Sequence, residues 1–305
     1  MTQENKKVYI VIVNWNNALV TIECLRSLEN VSYPNKEIHL IDNGSSDDSL
    51  RILEDYRQQS PIKDILTLIS LKENLGFAGG NNVGIKMALE RGAEYVLLLN
   101  NDTIVTPDFL TQLVQSAQTI QNLGILGTKI NHYPDKDIIW FSRGKIDYFR
   151  GAFYHINKER KNLVDSDFIT GCLMFIPASV LQDVNLFDER YFLNAEDVDL
   201  SQRIKKAGYK LVVNQDAVIY HQFSASMGGI HSKRNQYYFH RNRMLFFSKN
   251  LFGLKKYLFF CFQFILAIPA WLCIQFIQGH FVSIQGAWLG YVDYFKGRFG
   301  RSRYF

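Results

Sequence analysis

Asn100, Asn101 and Asp102 form a polar stretch directly after a short apolar run at 95–99. A carboxylate at the end of a strand can hold a divalent cation against the phosphates of a ligand, with water filling the remaining coordination positions. Asn and Asp also favour ordinary strand-ending turns, so a structural role stays open for this stretch on its own.

A second acidic stretch contains Glu196, Asp197 and Asp199 at the expected start of a helix. Acids in a first turn are stabilised by the helix dipole, and Asp199 has the i,i+4 spacing of a structural ion pair with Arg203. The alternative is a general base, because Glu196 and Asp197 point to different faces and one of them can face a cleft. His221 ends a predicted strand, where a lone histidine is more often structural than a ligand.

Residues 74–81 form a Gly-rich stretch that follows a predicted strand and opens a helix. Glycines let the backbone approach a phosphate or ribose closely, and a helix N-terminus favours anions. Gly79 and Gly84 have P-loop spacing, but Ile85 and Lys86 stand where a P-loop requires Lys followed by Ser or Thr. The sequence therefore disfavours a Walker-type ATPase, and a plain Gly-rich turn remains the alternative.

The elements that must position these residues alternate between strand and helix. Apolar runs typical of strands buried on both faces stand at 8–13, 37–41, 65–70 and 95–99, with helical patterns at 19–28, 47–56 and 81–91. This order predicts an α/β fold with an open, mainly parallel, Rossmann-like sheet flanked by helices. Ligands of such sheets bind beyond the carboxyl ends of the strands. The predicted ligand segments are 14–17, 42–46, 74–81 and 100–103.

The pattern is more mixed after residue 108. We expect helices at 109–120 and 195–207, a further helix starting at Pro177, a strand at 124–130 and a strand at 168–176 broken at 170–171. Two short strands are expected at 210–213 and 217–220, and 131–167 shows no regular pattern. Residues 1–230 therefore read as one domain, with 1–105 and 106–230 as its halves.

Composition and charge narrow the function classes. Hydrophobic residues make up 47% of the 305 residues and charged residues 21%, which excludes wholesale disorder. The four cysteines show no CxxC pairing, which disfavours a disulfide framework or a zinc site. Residues 231–305 contain 11 Lys and Arg against one acid, leaving 23 basic and 28 acidic residues in 1–230. The excess of positive charge is therefore confined to the tail.

The tail contains a 21-residue stretch without charge, at 257–277, which is long enough to span a bilayer. Basic flanks beside aromatic residues are membrane-surface features. Gln263, Pro269 and Gln275 favour a kinked helix or hairpin lying in the membrane surface, although a single span and a buried core helix remain open. The long uncharged run disfavours a nucleic-acid partner for this basic tail.

Taken in order, these stretches resemble the family 2 glycosyltransferases with a GT-A fold, and most of all their bacterial rhamnosyltransferase-like branch. The resemblance covers residues 7 to 250. It is carried by VNWNN at 13–17, DNGSSD at 42–47, NLGFAGGN at 74–81, LNNDT at 99–103, TGC at 170–172, FDERYF at 187–192, EDVDL at 196–200 and YH at 220–221.

The resemblance implies a role for each matching residue. Asp42 matches the acid that binds the base of the nucleotide. The other positions matched to nucleotide-sugar binding are Asn14, Asn16, Asn74, Gly76, Asn81, Asn101 and Asp102. Asn100 replaces the first acid of the family's metal motif, which leaves Asp102 and His221 as the expected ligands of a Mg or Mn ion. Asp197 matches the catalytic base, with Glu196 as the second choice.

The resemblance also implies the reaction. We expect an inverting glycosyltransferase that moves a hexose from a nucleotide-sugar to a polyprenol-linked or growing surface-polysaccharide acceptor at the cytoplasmic face of the cell membrane. L-rhamnose from dTDP-rhamnose is the expected donor, and a UDP-sugar is the alternative. The missing acid at Asn100 motivates another alternative, a membrane-bound sugar-nucleotide-binding protein without activity. For 231–305 we expect a helical tail that associates with the membrane through 257–277.

Overall fold

The computed structural model describes residues 5–222, 229 and 231–305. The strands are β1 Val8–Asn14, β2 Lys36–Asp42, β3 Leu66–Ser70, β4 Tyr95–Leu99, β5 Thr103–Val105, β6 Leu123–His132, β7 Ile139–Phe141, β8 Arg143–Asp147, β9 Ala152–Ile156, β10 Leu163–Asp165, β11 Leu173–Pro177 and β12 Lys210–His221. The helices are α1 Ala18–Glu29, α2 Ser49–Gln59, α3 Gly76–Glu90, α4 Phe109–Thr119, α5 Ala178–Val184, α6 Glu196–Lys206, α7 Lys233–Asn250, α8 Gly253–Phe262, α9 Ile268–Ile277 and α10 Phe281–Phe295.

The described strands form a ten-stranded sheet and a separate β8–β9 hairpin. The sheet order is β10-β12-β6-β11-β4-β1-β2-β3, with β5 paired to β12 and β7 paired to β6. β3, β2, β1 and β4 are parallel neighbours, whereas β11 runs antiparallel to β4 and β6. The predicted open, mainly parallel sheet with flanking helices is therefore confirmed.

The parallel strands bring the predicted ligand segments to one edge of the sheet. β1 lies between β2 and β4, and Asn14 at its carboxyl end is in register with Asp42 of β2. The chain leaves β1 towards β2 on one side and returns to β4 on the other. The gap between β1 and β4 is therefore the switch point at which such sheets bind ligands.

Several elements differ from the sequence-based expectation. Helix α3 begins at Gly76, five residues before the predicted start, because Asn74 Oδ1 accepts the Gly76 N–H and supports a turn there. Only the second half of the predicted 168–176 strand is extended, since residues 170–172 turn. The two strands predicted at 210–213 and 217–220 are one strand, β12. A bulge interrupts it where Asn214 Oδ1 accepts the backbone N–H groups of Asp216 and Ala217.

The tail is helical, as expected, and one helix of 25 residues, Gly253–Ile277, is long and apolar enough to cross a membrane. A π-helical turn, Gln263–Ala267, separates α8 from α9. Pro269 lacks a backbone N–H for the preceding turn, which favours this local widening. α10 folds back against α7, and Phe246, Phe259 and Tyr291 belong to the same hydrophobic core as the strands. The core is continuous across residue 230.

Candidate active site

A cavity of about 420 Å³ opens at the sheet edge where β1, β2 and β4 end. Eight of the site residues expected from the sequence line it, namely Asn74, Gly76, Asn81, Asn101, Asp102, Glu196, Asp197 and His221. They come from the ends of β4 and β12, from the start of α3 and from the start of α6. The fold therefore brings together segments that are up to 147 residues apart, from Asn74 to His221.

Three expected nucleotide-binding residues lie beside the cavity and are not part of its lining among the described residues. Asn14 Nδ2 donates to Asp42 Oδ1 at 2.9 Å, and both side chains are buried. Ser45 Oγ donates to the same carboxylate oxygen at 2.6 Å. Asn16 has a φ of 52° and its side chain bonds Ser46. These bonds join the ends of β1 and β2 and hold the adjacent cavity wall.

The Gly-rich loop is fixed by side-chain amides. Asn43 bonds the backbone on both sides, because its Oδ1 accepts the Leu75 N–H and its Nδ2 donates to Gly76 O. Gly76 has a φ of 75°, and a Cβ at this position would collide with the backbone oxygen and ring of Phe192. Glycine is therefore required here on two counts, conformation and space. Asn81 is buried one turn further into α3 and donates to Phe77 O.

Asp102 and His221 meet because β5 pairs with the end of β12, which places His221 opposite Thr103. Asp102 Oδ1 lies 3.0 Å from His221 Nε2, and both residues are buried. Asn101 donates to Thr21 Oγ1 at 2.8 Å. Asn100, two residues before Asp102, stands where the resemblance expects the first acid of the metal motif, and it also lines the cavity.

Asp197 and Glu196 occupy the first turn of α6 with different surroundings. Asp197 Oδ2 accepts the Gly171 N–H at 2.8 Å, and its Oδ1 accepts the Val198 N–H at 2.8 Å. Glu196 is 6% exposed, and its Oε2 finds no hydrogen-bond partner among the described residues. Asp197 therefore has backbone donors on both carboxylate oxygens, whereas one carboxylate oxygen of Glu196 is buried without a partner among the described residues. Asp199, the third acid, bonds Arg203 as expected for a structural pair.

The two carboxyl groups compete for one negative charge. Burial raises the pKa of Glu196 well above its ordinary value, and the nearby Asp197 charge raises that pKa further. Burial also raises the pKa of Asp197, but the N–H groups of Gly171 and Val198 oppose that rise. Burial thus raises the pKa of Glu196 further than that of Asp197, so Asp197 ionises first and is the better candidate for a general base.

The cavity also contains residues that the sequence did not single out. Arg234, at the start of α7, lies over the Trp15 ring with 4.5 Å between the guanidinium carbon and the ring centroid. Its Nε has no hydrogen-bond partner in the described part of the chain. Trp140 contributes another wall and contacts the His221 ring. The basic and aromatic composition of 231–250 was the one sequence feature that could have pointed to Arg234. Composition alone does not show which of several cations lines the cavity.

Asp102 and His221 could serve as the protein ligands of a divalent ion whose other ligands come mainly from a bound diphosphate and water. Among the described residues no group of three or more His, Cys, Asp or Glu side chains could hold a metal. Magnesium commonly uses one or two carboxylates together with substrate phosphates. The 3.0 Å between Asp102 Oδ1 and His221 Nε2 matches the spacing of adjacent octahedral ligands, about 3 Å for bonds of ~2.1 Å. The residues present therefore fit such an ion once a diphosphate is bound.

Sequence comparisons place these features among sugar-transferring enzymes. The model described as "Glycosyl transferase family 2" matches residues 9–184, more than half of the chain. Shigella flexneri dTDP-rhamnosyl transferase RfbF is 25% identical over 260 residues, which is 81% of each chain. Staphylococcus epidermidis poly-beta-1,6-N-acetyl-D-glucosamine synthase is 24% identical over 233 residues, 76% of this chain and 54% of the relative. The chain thus spans about half the length of that relative.

Comparisons of structure agree on the fold. The mannosyltransferase PcManGT from Pyrobaculum calidifontis, solved with GDP-Man and Mn²⁺, aligns with a TM-score of 0.63 at 14% identity, covering 97% of this chain and 89% of that one. S. aureus TarS 1-349 with UDP-GlcNAc aligns with a TM-score of 0.56 at 17% identity, covering 85% and 73%. At these identities the likeness establishes the fold alone.

Proposed function

Because the chain belongs to glycosyl transferase family 2 and is a glycosyltransferase of GT-A fold, we propose that it is an inverting hexosyltransferase acting on a lipid-linked or growing surface polysaccharide. One observation carries the reaction type: Asp197, supported by two backbone donors, faces a cavity at the ends of β1, β2 and β4. The proposed donor is dTDP-rhamnose, supported by similarity to RfbF over 81% of both chains. A UDP-sugar is the second candidate, supported by the TarS fold.

Transfer proceeds as a single displacement. Asp197 removes the proton of the acceptor hydroxyl as that oxygen attacks the anomeric carbon. The bond between the anomeric carbon and the diphosphate oxygen breaks on the opposite face, so the anomeric configuration inverts. The described cavity offers one ionised base and requires no protein nucleophile for this route. Burial and the Asp197 charge raise the pKa of Glu196, which opposes a second negative charge beside the base.

The donor is held by both walls of the cavity. The backbone of the Gly-rich loop and the Asn81 side chain border the nucleotide-sugar, and the buried Asn14–Asp42 pair fixes the β1 and β2 ends where the base binds. Arg234 faces the same space and meets the diphosphate, because a half-buried cation gains most from an anionic ligand. A Mg or Mn ion held by Asp102 and His221 would supply further charge neutralisation on the departing diphosphate.

The proposed location is the cytoplasmic face of the cell membrane, with the 253–277 helix in the membrane plane. Phe259 and Gln263 are buried on one side of this helix, and Gln263 bonds both Arg150 O and the Arg243 side chain. Elsewhere on this helix Ile265 and Ile277 are 70% and 82% exposed. A helix attached to the body along its length and apolar on its outer face suits an interfacial orientation better than a span.

Two other chain segments extend the apolar face of this helix. Phe149 at the turn of the β8–β9 hairpin contacts Phe262, and Phe295 at the end of α10 contacts Phe264. Trp288 is also exposed on α10. The face is therefore wider than one helix, and nearby cations such as Lys255 and Lys296 are exposed for anionic headgroups.

The function is tested with purified protein, vesicles of anionic lipid carrying a polyprenyl-diphosphate-linked sugar, and a panel of dTDP- and UDP-hexoses with Mg or Mn. The proposal expects transfer with dTDP-rhamnose and inversion at the anomeric carbon of the product. Transfer from a UDP-sugar and not from dTDP-rhamnose would show that the donor is the UDP-sugar. Donor binding without any transfer would favour the sugar-nucleotide-binding protein and contradict the proposed activity. Alkaline extraction of the vesicle-bound protein tests its location, because a spanning helix resists it and an interfacial one is released.

A further inference from the structure

The segment before the acidic pair is held in an uncommon backbone conformation. Phe192, Asn194 and Ala195 have φ values of 59°, 70° and 70°, in the left-handed region that non-glycine residues seldom adopt. Such a conformation is unfavourable for a residue with a side chain and persists only when its surroundings enforce it. Glu196 and Asp197 follow directly, so the conformation of this segment determines where α6 begins.

Asn242 of α7 supplies a dense set of contacts to this segment. Its Nδ2 lies 2.6 Å from Tyr191 O, 2.7 Å from Leu193 O and 3.0 Å from Asn194 O. One amide group with two hydrogens thus serves three carbonyl oxygens of four consecutive residues. The three bonds therefore hold these carbonyls in the orientation that accompanies the strained conformation.

Arg241 adds a buried cation to the same segment. It is 0% exposed, and its guanidinium donates to Arg190 O, Tyr191 O and Gly300 O. Its Nε donates to Asn242 Oδ1 at 2.9 Å, which orients the amide. The guanidinium also lies about 5 Å from the ring centroids of Tyr237 and Tyr238, 5.1 and 5.0 Å respectively. Burying an arginine is costly unless every donor is used, so this arrangement ties α7 to the segment.

The segment also reaches the opposite wall of the cavity. Phe192 O accepts the Phe77 N–H at 2.7 Å, directly after Gly76 of the Gly-rich loop, and the Phe192 ring stacks on Tyr238 of α7. One short stretch therefore connects α7, the Gly-rich loop and the acidic pair. A shift in it would move Asp197 relative to a bound donor.

We propose that Arg241 and Asn242 are positioning residues for the transfer reaction: they hold residues 191–194 in the strained conformation that places Asp197 opposite Gly171. The inference rests on the proposed role of Asp197 as the base. It gives a catalytic purpose to part of α7, which lies outside the matched family region, 9–184.

The test compares Asn242→Ala with Asn214→Ala, a matched control. Asn214 is also a buried asparagine whose side chain bonds the backbone. Its Oδ1 accepts two backbone N–H groups and supports the β12 bulge, away from the cavity. Both variants are expected to lose thermal stability. Only Asn242→Ala is expected to lower kcat, by about 10- to 100-fold, because a displacement of about 1 Å at a catalytic group has an effect of this size. The donor KM should stay within about 2-fold of wild type, as expected when only a transition-state interaction is lost.

The pH profile separates positioning from general destabilisation. Release of the segment admits water to Asp197, so the acid limb of kcat should move to lower pH in Asn242→Ala and stay in place in Asn214→Ala. Equal kcat and an unmoved acid limb in both variants would overturn the inference. Asn242→Ser and Arg241→Lys, which each keep a donor, provide the same comparison if Asn242→Ala does not fold.

The outcome also distinguishes this inference from the proposed function. An Asp197→Asn variant with wild-type activity would contradict the assignment of Asp197 as the base, regardless of the result for Asn242→Ala. An inactive Asp197→Asn variant together with a fully active Asn242→Ala variant would overturn the positioning role alone.

Discussion

The backbone N–H of Gly171 donates to Asp197 Oδ2 over 2.8 Å, across 26 residues of sequence. Residues 170–172 turn before β11 begins, and this turn leaves the Gly171 N–H free of the sheet and directed at the carboxylate. A Cβ added at Gly171 would lie 3.1 Å from the Phe77 ring and 3.5 Å from Asp197 Cβ. The bond is the feature that most clearly distinguishes Asp197 from Glu196, because Glu196 Oε2 has no donor among the residues described.

The first prediction concerns the base. Asp197→Asn is expected to lower kcat by about 10²- to 10⁴-fold, the usual contribution of a positioned base, whereas Glu196→Gln should lower it by less than ~10-fold. Steady-state transfer assays measure both, and a thermal-shift titration with the donor shows that each variant still binds it. A larger loss in Glu196→Gln than in Asp197→Asn would exchange the two roles.

The second prediction concerns the pH dependence of activity. Asp197 must be ionised to act, and burial raises its pKa, so kcat/KM should fall as the pH drops through a value above the ordinary aspartate pKa of about 3.9. Glu196 is beside it on α6, and Asp102, His221 and Arg234 line the same cavity. Glu196→Gln should leave the acid limb nearly in place, because burial raises the pKa of Glu196 further than that of Asp197, so that Asp197 ionises first. An acid limb at the ordinary aspartate value would contradict the burial argument.

The third prediction uses the same pair to change stability. The pKa of Glu196 is raised in the folded state, so the folded protein binds more protons than the unfolded one between the ordinary and the raised value. The free energy of unfolding therefore falls as the pH rises through that window. Glu196→Gln cannot titrate and therefore avoids this decrease in the free energy of unfolding. Its melting temperature should exceed that of the wild type at pH 8 and not at pH 4. A difference between the two melting temperatures that does not depend on pH would show that Glu196 does not titrate in this way.

The fourth prediction concerns the Gly-rich loop. Gly76→Ala and Gly92→Ala share the same backbone strain, with φ values of 75° and 76°, but an added Cβ meets Phe192 at Gly76 and nothing within 4 Å at Gly92. Gly92→Ala should lower the free energy of unfolding by about 1 kcal/mol, and Gly76→Ala by clearly more, with weaker donor binding. Denaturant unfolding and donor titration give both quantities. Equal losses of stability in the two variants would mean that Phe192 can move away from the added Cβ without a measurable free-energy cost.

The fifth prediction addresses charge at the diphosphate. Arg234→Met should weaken binding of a nucleoside diphosphate by about 10-fold or more and leave binding of the nucleoside monophosphate nearly unchanged, as expected for a lost charge-assisted hydrogen bond. Arg51→Met is the control, since Arg51 is exposed on α2 and pairs with Asp48 and Asp55. Calorimetric titration of both nucleotides measures the effect. An equal loss for the two nucleotides would place Arg234 away from the second phosphate.

Metal titrations accompany the fifth prediction and test the proposed roles of Asp102 and His221. Asn100→Asp restores a second acid at the cavity wall and should lower the Mn concentration needed for half-maximal activity, whereas Asp102→Ala should raise it. Unchanged metal titrations in both variants would argue that Asp102 and His221 do not bind the ion.

Sequence order alone determined the sheet and the edge at which the site forms. Strands of buried β-branched residues followed by polar or Gly-rich turns can satisfy their backbones and bury their side chains only in a parallel, helix-covered sheet, and the carboxyl ends of such strands meet at one edge. Asn74, Gly76, Asn81 and the 100–102 stretch could therefore be assigned to the cavity from the sequence. The uncharged tail segment was visible for a similar reason, because its composition is local.

Tertiary structure decided the properties that depend on neighbours distant in sequence. Glu196 and Asp197 are adjacent acids with no sequence feature that ranks their acidity, and only the tertiary fold brings the distant Gly171 N–H to one of them. Arg234 cannot be distinguished from the other tail cations by sequence, and only the position of α7 places it over the Trp15 ring. Burial, orientation and electrostatic coupling are sums over contacts made through space, whereas a sequence pattern reports only the contacts that an element makes within itself.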